Sequence, residues 1–129
     1  MKVTSWILTF FLSVFAGCAS QPVEEAAPAP EPSQAQRDLA AGVAKYEEGQ
    51  LNESARLLQA SLKAGLSDPA DQARAYKYLA FMHCAANRIA PCREQFRAAL
   101  KADPGFDLSA SEVGHTVWGT VFRSVKSGK

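Results

Sequence analysis

The chain has 129 residues, with 14 Lys and Arg against 13 Asp and Glu, so its formal charge at neutral pH is +1. That length allows one small domain. A near-neutral balance with no dense Lys/Arg run lacks the basic stripe that nucleic-acid binding requires.

Lys2 precedes an apolar run from about Trp6 to Phe15, and small residues then lead into a cysteine. This is a secretory signal layout, and the run is too short to cross a bilayer as a stable helix. The stretch Val14-Phe15-Ala16-Gly17-Cys18 resembles the lipobox of bacterial lipoproteins, with Phe15 where Leu is usual. The resemblance implies diacylation of the Cys18 thiol, cleavage just before it and acylation of the new amino group. Residues 1–17 are therefore read as a lipoprotein signal peptide and Cys18 as the lipidation site. The covalent lipid is the only added group expected, with no cofactor. Acyl chains gain about 0.8 kcal/mol per buried methylene, so two or three of them give stable membrane anchoring. An ordinary signal peptide with an incidental cysteine, or an uncleaved anchor, is the alternative. Ala19 and Ser20 follow Cys18 with no adjacent Asp. By resemblance to bacterial lipoprotein sorting, this implies the outer membrane, facing the periplasm, with the inner membrane as the other possibility.

Residues 18–34 form the next unit, the lipidated cysteine and its spacer, which reads ASQPVEEAAPAPEPSQ after Cys18. Pro22, Pro28, Pro30 and Pro32 do not suit helix interiors, and Ala, Glu and Gln offer no core. A disordered or polyproline tether is expected, reaching up to roughly 50 Å at about 3.1 Å per residue. A bound Pro-rich ligand is the other reading.

From Ala35 the apolar residues recur at helical spacing, which makes 35–129 an all-α domain of about five helices. Leu39, Val43 and Tyr46 mark the first helix, stopped at Gly49-Gln50. Leu51, Ala55, Leu57, Leu58 and Leu62 mark the second, ending at Gly65. Asp68-Pro69 opens a third, because Asp caps and Pro suits the first turn. It carries Tyr76, Leu79, Ala80 and His83. A fourth starts near Pro91 and carries Phe96, Ala99 and Leu100 to Asp103-Pro104. Short turns make these two antiparallel hairpins. Tyr76, Leu79, Ala80 and His83, then Cys92, Phe96, Ala99 and Pro104, resemble the tetratricopeptide repeat pattern. Gly42, Ser54 and Leu58 form a weaker earlier copy, with an insertion around Gly65-Asp68. Ala80 and Cys92, like Gly42 and Ser54, are small where paired helices touch.

The last helix is expected to cap the stack. Ser109 and Glu112 form a Ser-x-x-Glu capping box. Val113, Val117, Val121 and Val125 run four apart, with Trp118 and Phe122 beside them. Gly114 and Gly119 each cost about 1 kcal/mol in a helix interior, which points to a close neighbour or a break. Trp118 and Phe122 either cap the core or face a partner.

Chemistry-bearing residues are few. His83 and His115 share no metal spacing with Cys84 and Cys92, and His83 at a core position reads as a packed, hydrogen-bonded residue. No nucleophile–base pair is suggested, so no enzyme is expected. Lipidation of Cys18 leaves an even cysteine pair in an oxidising compartment. Cys84 lies one turn beyond Ala80 and Cys92 opens the facing helix, within bridging range; buried free thiols are the alternative. Resemblance to the repeat superfamily implies a concave face carrying Leu39, Val43 and Tyr46, then Arg74, Lys77 and Phe81, suited to a segment with apolar anchors and acidic charge.

Residues 79 to 125 carry a closer likeness. The run HC-x7-C-REQFRAALKADPGFDL, followed by E-x-GH-x-VWG-x-VF, resembles the small TssQ-type lipoproteins associated with type VI secretion systems. Lipobox, Pro-rich spacer, short repeat domain and aromatic C-terminal segment follow the same plan. Prolines common in that family are replaced here by Thr116 and Thr120, which puts the local turn around His115–Trp118 in question. The resemblance implies an accessory of a trans-envelope secretion complex, meeting a secretion-system subunit through His115, Val117, Trp118 and Phe122. A pilotin- or chaperone-like lipoprotein for a pilus or secretin, or a self-associating structural lipoprotein, is the competing expectation.

Overall fold

A computed structural model describes residues 27–128. The signal segment, Cys18 and the spacer up to residue 26 lie outside the described residues, as does residue 129. Within them the protein is all-α, with six helices and no strand: α1 (Gln34–Glu47), α2 (Leu51–Ala64), α3 (Pro69–Ala85), α4 (Ile89–Ala102), α5 (Ala110–Val113) and α6 (Trp118–Lys126).

Local chemistry sets most of the boundaries. Ser33 accepts from the Gln36 amide while the Gln36 side chain accepts from the Ser33 amide, a reciprocal cap that starts α1. Gly49 and Gly65 follow α1 and α2 with φ of +76° and +91°, a region that residues with a Cβ avoid. Asp68 accepts from the Ala70 amide and Pro69 occupies the first turn of α3. The inserted residues between α2 and α3 are pinned rather than loose. Leu66 is buried, and its carbonyl accepts from the Gln72 side chain at 2.7 Å.

Helices α1 and α2 pack as one hairpin and α3 and α4 as another. The small residues stand where the helices touch. A Cβ on Gly42 would lie 2.8 Å from Leu58 Cγ, and the Ser54 hydroxyl donates to the Gly42 carbonyl at 2.7 Å. In the second hairpin Ala80, Cys92 and Phe96 have no exposed surface. Helix α3 is central because it is apolar on two faces. Ala75, Leu79 and Met82 join Leu39, Val43 and Leu58 in one core cluster. Ala80, Phe81 and Cys84 join Cys92, Phe96, Leu108, Val121 and Phe122 in the other.

The C-terminal helix is divided. Instead of one apolar face from Val113 to Val125, the chain forms a four-residue α5, a turn at 114–117 and then α6. Val121 is buried, whereas Val117 is exposed. Gly119 accounts for the geometry: a Cβ there would lie 2.2 Å from the Val113 carbonyl oxygen. Both readings of the glycines apply, a break near Gly114 and a close approach at Gly119.

Cys84 and Cys92 are joined across the α3–α4 turn, with Cα atoms 5.2 Å apart. Closing so short a loop contributes about 2.5 kcal/mol in the chain-entropy model. Replacing both cysteines by Ser should lower the unfolding free energy by about that amount. Urea titration of the oxidised wild type against the double variant measures it, and an unchanged midpoint would mean that the bridge does not constrain the unfolded chain.

Candidate functional site

The second core cluster is organised by aromatic rings that continue from α1 to the C-terminal turn. Tyr46 of α1 meets Tyr78 of α3 edge-on, centroids 4.9 Å apart. Phe81 touches Tyr78 at 6.0 Å, Phe96 at 6.1 Å and Tyr46 at 6.5 Å. Trp118 stacks on Phe81 at 4.6 Å, and His115 stacks on Trp118 at 3.3 Å with planes 7° apart. Phe122 closes the other side against Phe96 and Phe106. Each pair of this kind adds about 0.5–1.5 kcal/mol beyond the apolar area it buries.

Glu112 ties the turn to the hairpins. Its Oε1 pairs with Lys77 Nζ at 2.8 Å, and its Oε2 accepts from the Ser109 amide at 2.9 Å. Its carbonyl accepts from the Trp118 indole at 3.0 Å and from the His115 amide at 3.1 Å. One residue thus holds α3, the start of α5 and the start of α6. Lys77 also lies 4.8 Å from the Tyr78 ring centroid and 5.7 Å from that of Phe81. Arg123 reaches back from α6 to donate to the Val113 carbonyl at 2.6 Å. Inside the turn, His115 Nδ1 accepts from the Val117 amide at 3.2 Å, which fixes Nδ1 as the ring's acceptor nitrogen.

The residues expected at a partner face do not share one surface. Tyr46, Lys77, Phe81, His115, Trp118 and Phe122 share the second core cluster or its rim. Within it Phe122 and Phe81 are buried, at 1% and 3% exposure, so neither offers surface to the solvent in this conformation. Their burial follows from the turn itself, which lays Trp118 over Phe81 and inserts Phe122 between Phe96 and Phe106. Leu39 and Val43, expected on a concave face, are likewise core. Val117 is 37% exposed, and His115 and Trp118 are half-buried beside it. Arg74 stands apart. It is exposed one turn before Lys77 and lines an open groove of about 370 Å³ with Pro30, Pro32, Arg37, Leu39 and Asp71.

At Lys77 and Phe81 the face of α3 expected to be open is therefore covered by the chain's own C-terminal segment, whereas Leu39 and Val43 are buried among α1, α2 and α3 and Arg74 stays exposed. Sequence reasoning missed Tyr78 and the Lys77–Glu112 pair, and it anticipated a close neighbour at Gly119 without identifying Val113. Glu112 gave a signal only through its capping-box position, which concerned its local role. His83, expected to be hydrogen-bonded, has a buried Nδ1 without a partner, and burial together with nearby Arg88 lowers its pKa. Among the described residues no three His, Cys, Asp or Glu side chains gather where a metal ion could be held. No helix among them is long and apolar enough to cross a membrane. No protein family, curated protein or solved structure matches this chain.

Burial pushes the Glu112 carboxyl up, but the hydrogen bonds from Lys77 and Ser109 and the Lys77 charge more than offset this. Its pKa lies below the ordinary glutamate range. A carboxyl depressed by folding stabilises the native state fully above its unfolded pKa, and that contribution is lost as pH falls through the folded value. Thermal stability should accordingly fall on acidification below the ordinary glutamate range, and Glu112→Gln should flatten that part of the profile. Identical acid profiles for the two proteins would remove Glu112 from the account.

The two glycines should respond oppositely to alanine. At Gly114 the added Cβ meets only ordinary contacts at 3.7 and 3.9 Å, so Gly114→Ala should be neutral or stabilising by up to about 1 kcal/mol. At Gly119 it meets backbone at 2.2 Å, and Gly119→Ala should cost at least about 2 kcal/mol despite alanine's better helix propensity. Denaturant midpoints of the two variants check the contrast.

Proposed function

We propose that this protein is a non-enzymatic lipoprotein, anchored through Cys18 in the outer membrane and facing the periplasm. In this reading it is an assembly accessory of a type VI secretion system. It meets a secretion-system subunit through the turn at His115, Val117 and Trp118, with Tyr46 and Lys77 at the margin. The observation that carries the docking site is Val117, an exposed aliphatic side chain on a turn braced by four hydrogen bonds and two ring stacks. Exposed apolar groups on rigid supports suit recognition, because little side-chain or loop freedom is lost on binding. The lipobox-like segment, the Pro-rich spacer and the TssQ-like run from residue 79 to 125 supply the class of assembly. The two hairpins, read as tetratricopeptide-like, supply the platform.

Affinity capture from crosslinked cell envelopes, with mass spectrometry of the recovered proteins, tests the whole reading. Wild type should bring down type VI membrane-complex or baseplate proteins. Val117→Asp should reduce that recovery about tenfold, the equivalent of 1.4 kcal/mol, without lowering Tm. Cys18→Ser should abolish labelling by radioactive palmitate. A secretin or pilus protein in the capture would replace this reading with a pilotin-like one. Recovery of the protein alone would make it a self-associating structural lipoprotein.

A further inference from the structure

We propose that residues 109–118 form a flap that opens as a unit between fixed ends at Leu108 and Gly119, with Glu112 as its latch. The geometry of the flap stands by itself, and its role as regulator of docking rests on the reading of the 115–118 turn given above.

Both ends are fixed in the core. Leu108 is 7% exposed before the flap, and Gly119, Val121 and Phe122 are buried after it. Between them α5 buries no residue, and its backbone comes close to α6 alone. The flap is thus a loop with anchored ends and an unburied middle, a combination that places a segment at the low end of local stability. Besides the partly buried Val113, which packs against the second core cluster, two side-chain contacts hold it to the hairpins. One is the Lys77–Glu112 pair, bridging 35 positions of sequence with both side chains less than a quarter exposed. The other is Trp118 on Phe81. The Arg123 bond to Val113 runs to α6 through a long, flexible side chain that can follow the flap. Trp118 is also the first residue of α6, whose N-terminus has no side-chain cap, so it can leave with the flap by the fraying of one helical end.

Glu112 is the latch because its contacts are coupled. Losing the carboxylate releases Lys77 and the Ser109 amide together, and the backbone of the same residue carries the bonds to Trp118 and His115. Opening separates His115 and Trp118 from the hairpins and uncovers Lys77, Phe81 and the Tyr46–Tyr78 pair. The closed flap is the docking-competent state, since only there does the Val117 turn sit on a rigid support.

Hydrogen exchange followed by mass spectrometry on the mature lipoprotein in detergent tests this. Glu112→Gln and Lys77→Met should each speed exchange of the 113–119 amides about tenfold, with α3 and α4 unchanged. Lys77→Arg should keep them near the wild-type rate. Trp118 is the sole tryptophan after Cys18, so a red-shifted emission should accompany the faster exchange. Unchanged 113–119 rates, or equal acceleration throughout the domain, would overturn the flap. Selective opening that leaves the captured partners unchanged would retain the flap and overturn its role in docking.

Discussion

Phe81 is the point at which the structure is joined. It sits on the face of α3 that turns from the first core cluster to the second, and its ring contacts α1, α3, α4 and α6 through Tyr46, Tyr78, Phe96 and Trp118. Neither hairpin presents much apolar surface by itself, since α1, α2 and α4 are each apolar along one stripe. A two-hairpin array is short for an independent fold, because each helical pair normally needs neighbours to cover its open faces. Here α3 serves both clusters, and Trp118 and Phe122 from the C-terminal segment pack against the second.

The C-terminal segment completes that arrangement by turning back at Gly114 instead of running straight. A continuous helix would have aligned four valines on one face and left the Tyr46–Lys77–Phe81 surface open. The break lets α6 bury Val121 and Phe122 while α5 swings Glu112 onto Lys77. Gly119 makes it possible, because only a residue without a Cβ lets the start of α6 pass so near the Val113 carbonyl. The outcome is a small domain in which the Lys77–Phe81 side of α3 is covered in cis and Val117 is displayed on a braced turn.

Features that depend on near neighbours were legible in the sequence. The Asp68-Pro69 start, the Ser109–Glu112 box, the stops at Gly49 and Gly65 and the small pair Gly42–Ser54 all stand where their chemistry requires. The cysteine spacing likewise set Cys84 and Cys92 on facing helices within bridging range. Features that depend on distant parts of the chain were not. Nothing in the spacing of Lys77 and Glu112 connects them, since their meeting depends on how far α5 swings after Pro104. The same holds for Phe81 and Phe122. A ring on an apolar stripe reads alike whether it faces a partner or the chain's own end, and only the packed arrangement decides.

The reciprocal Ser33–Gln36 cap has a mechanical consequence. The first helix begins at that cap, and Arg37 donates to the Pro32 carbonyl just ahead of it. A pull applied to the chain ahead of Pro32 therefore enters the domain at the first turn of α1. It is borne first by the hairpin without a covalent link, while the hairpin that carries the aromatic face is closed by the Cys84–Cys92 bond. That load reaches the aromatic cluster as well, because Tyr46 on α1 touches Tyr78 and Phe81 of α3, so displacing α1 displaces part of the same ring system.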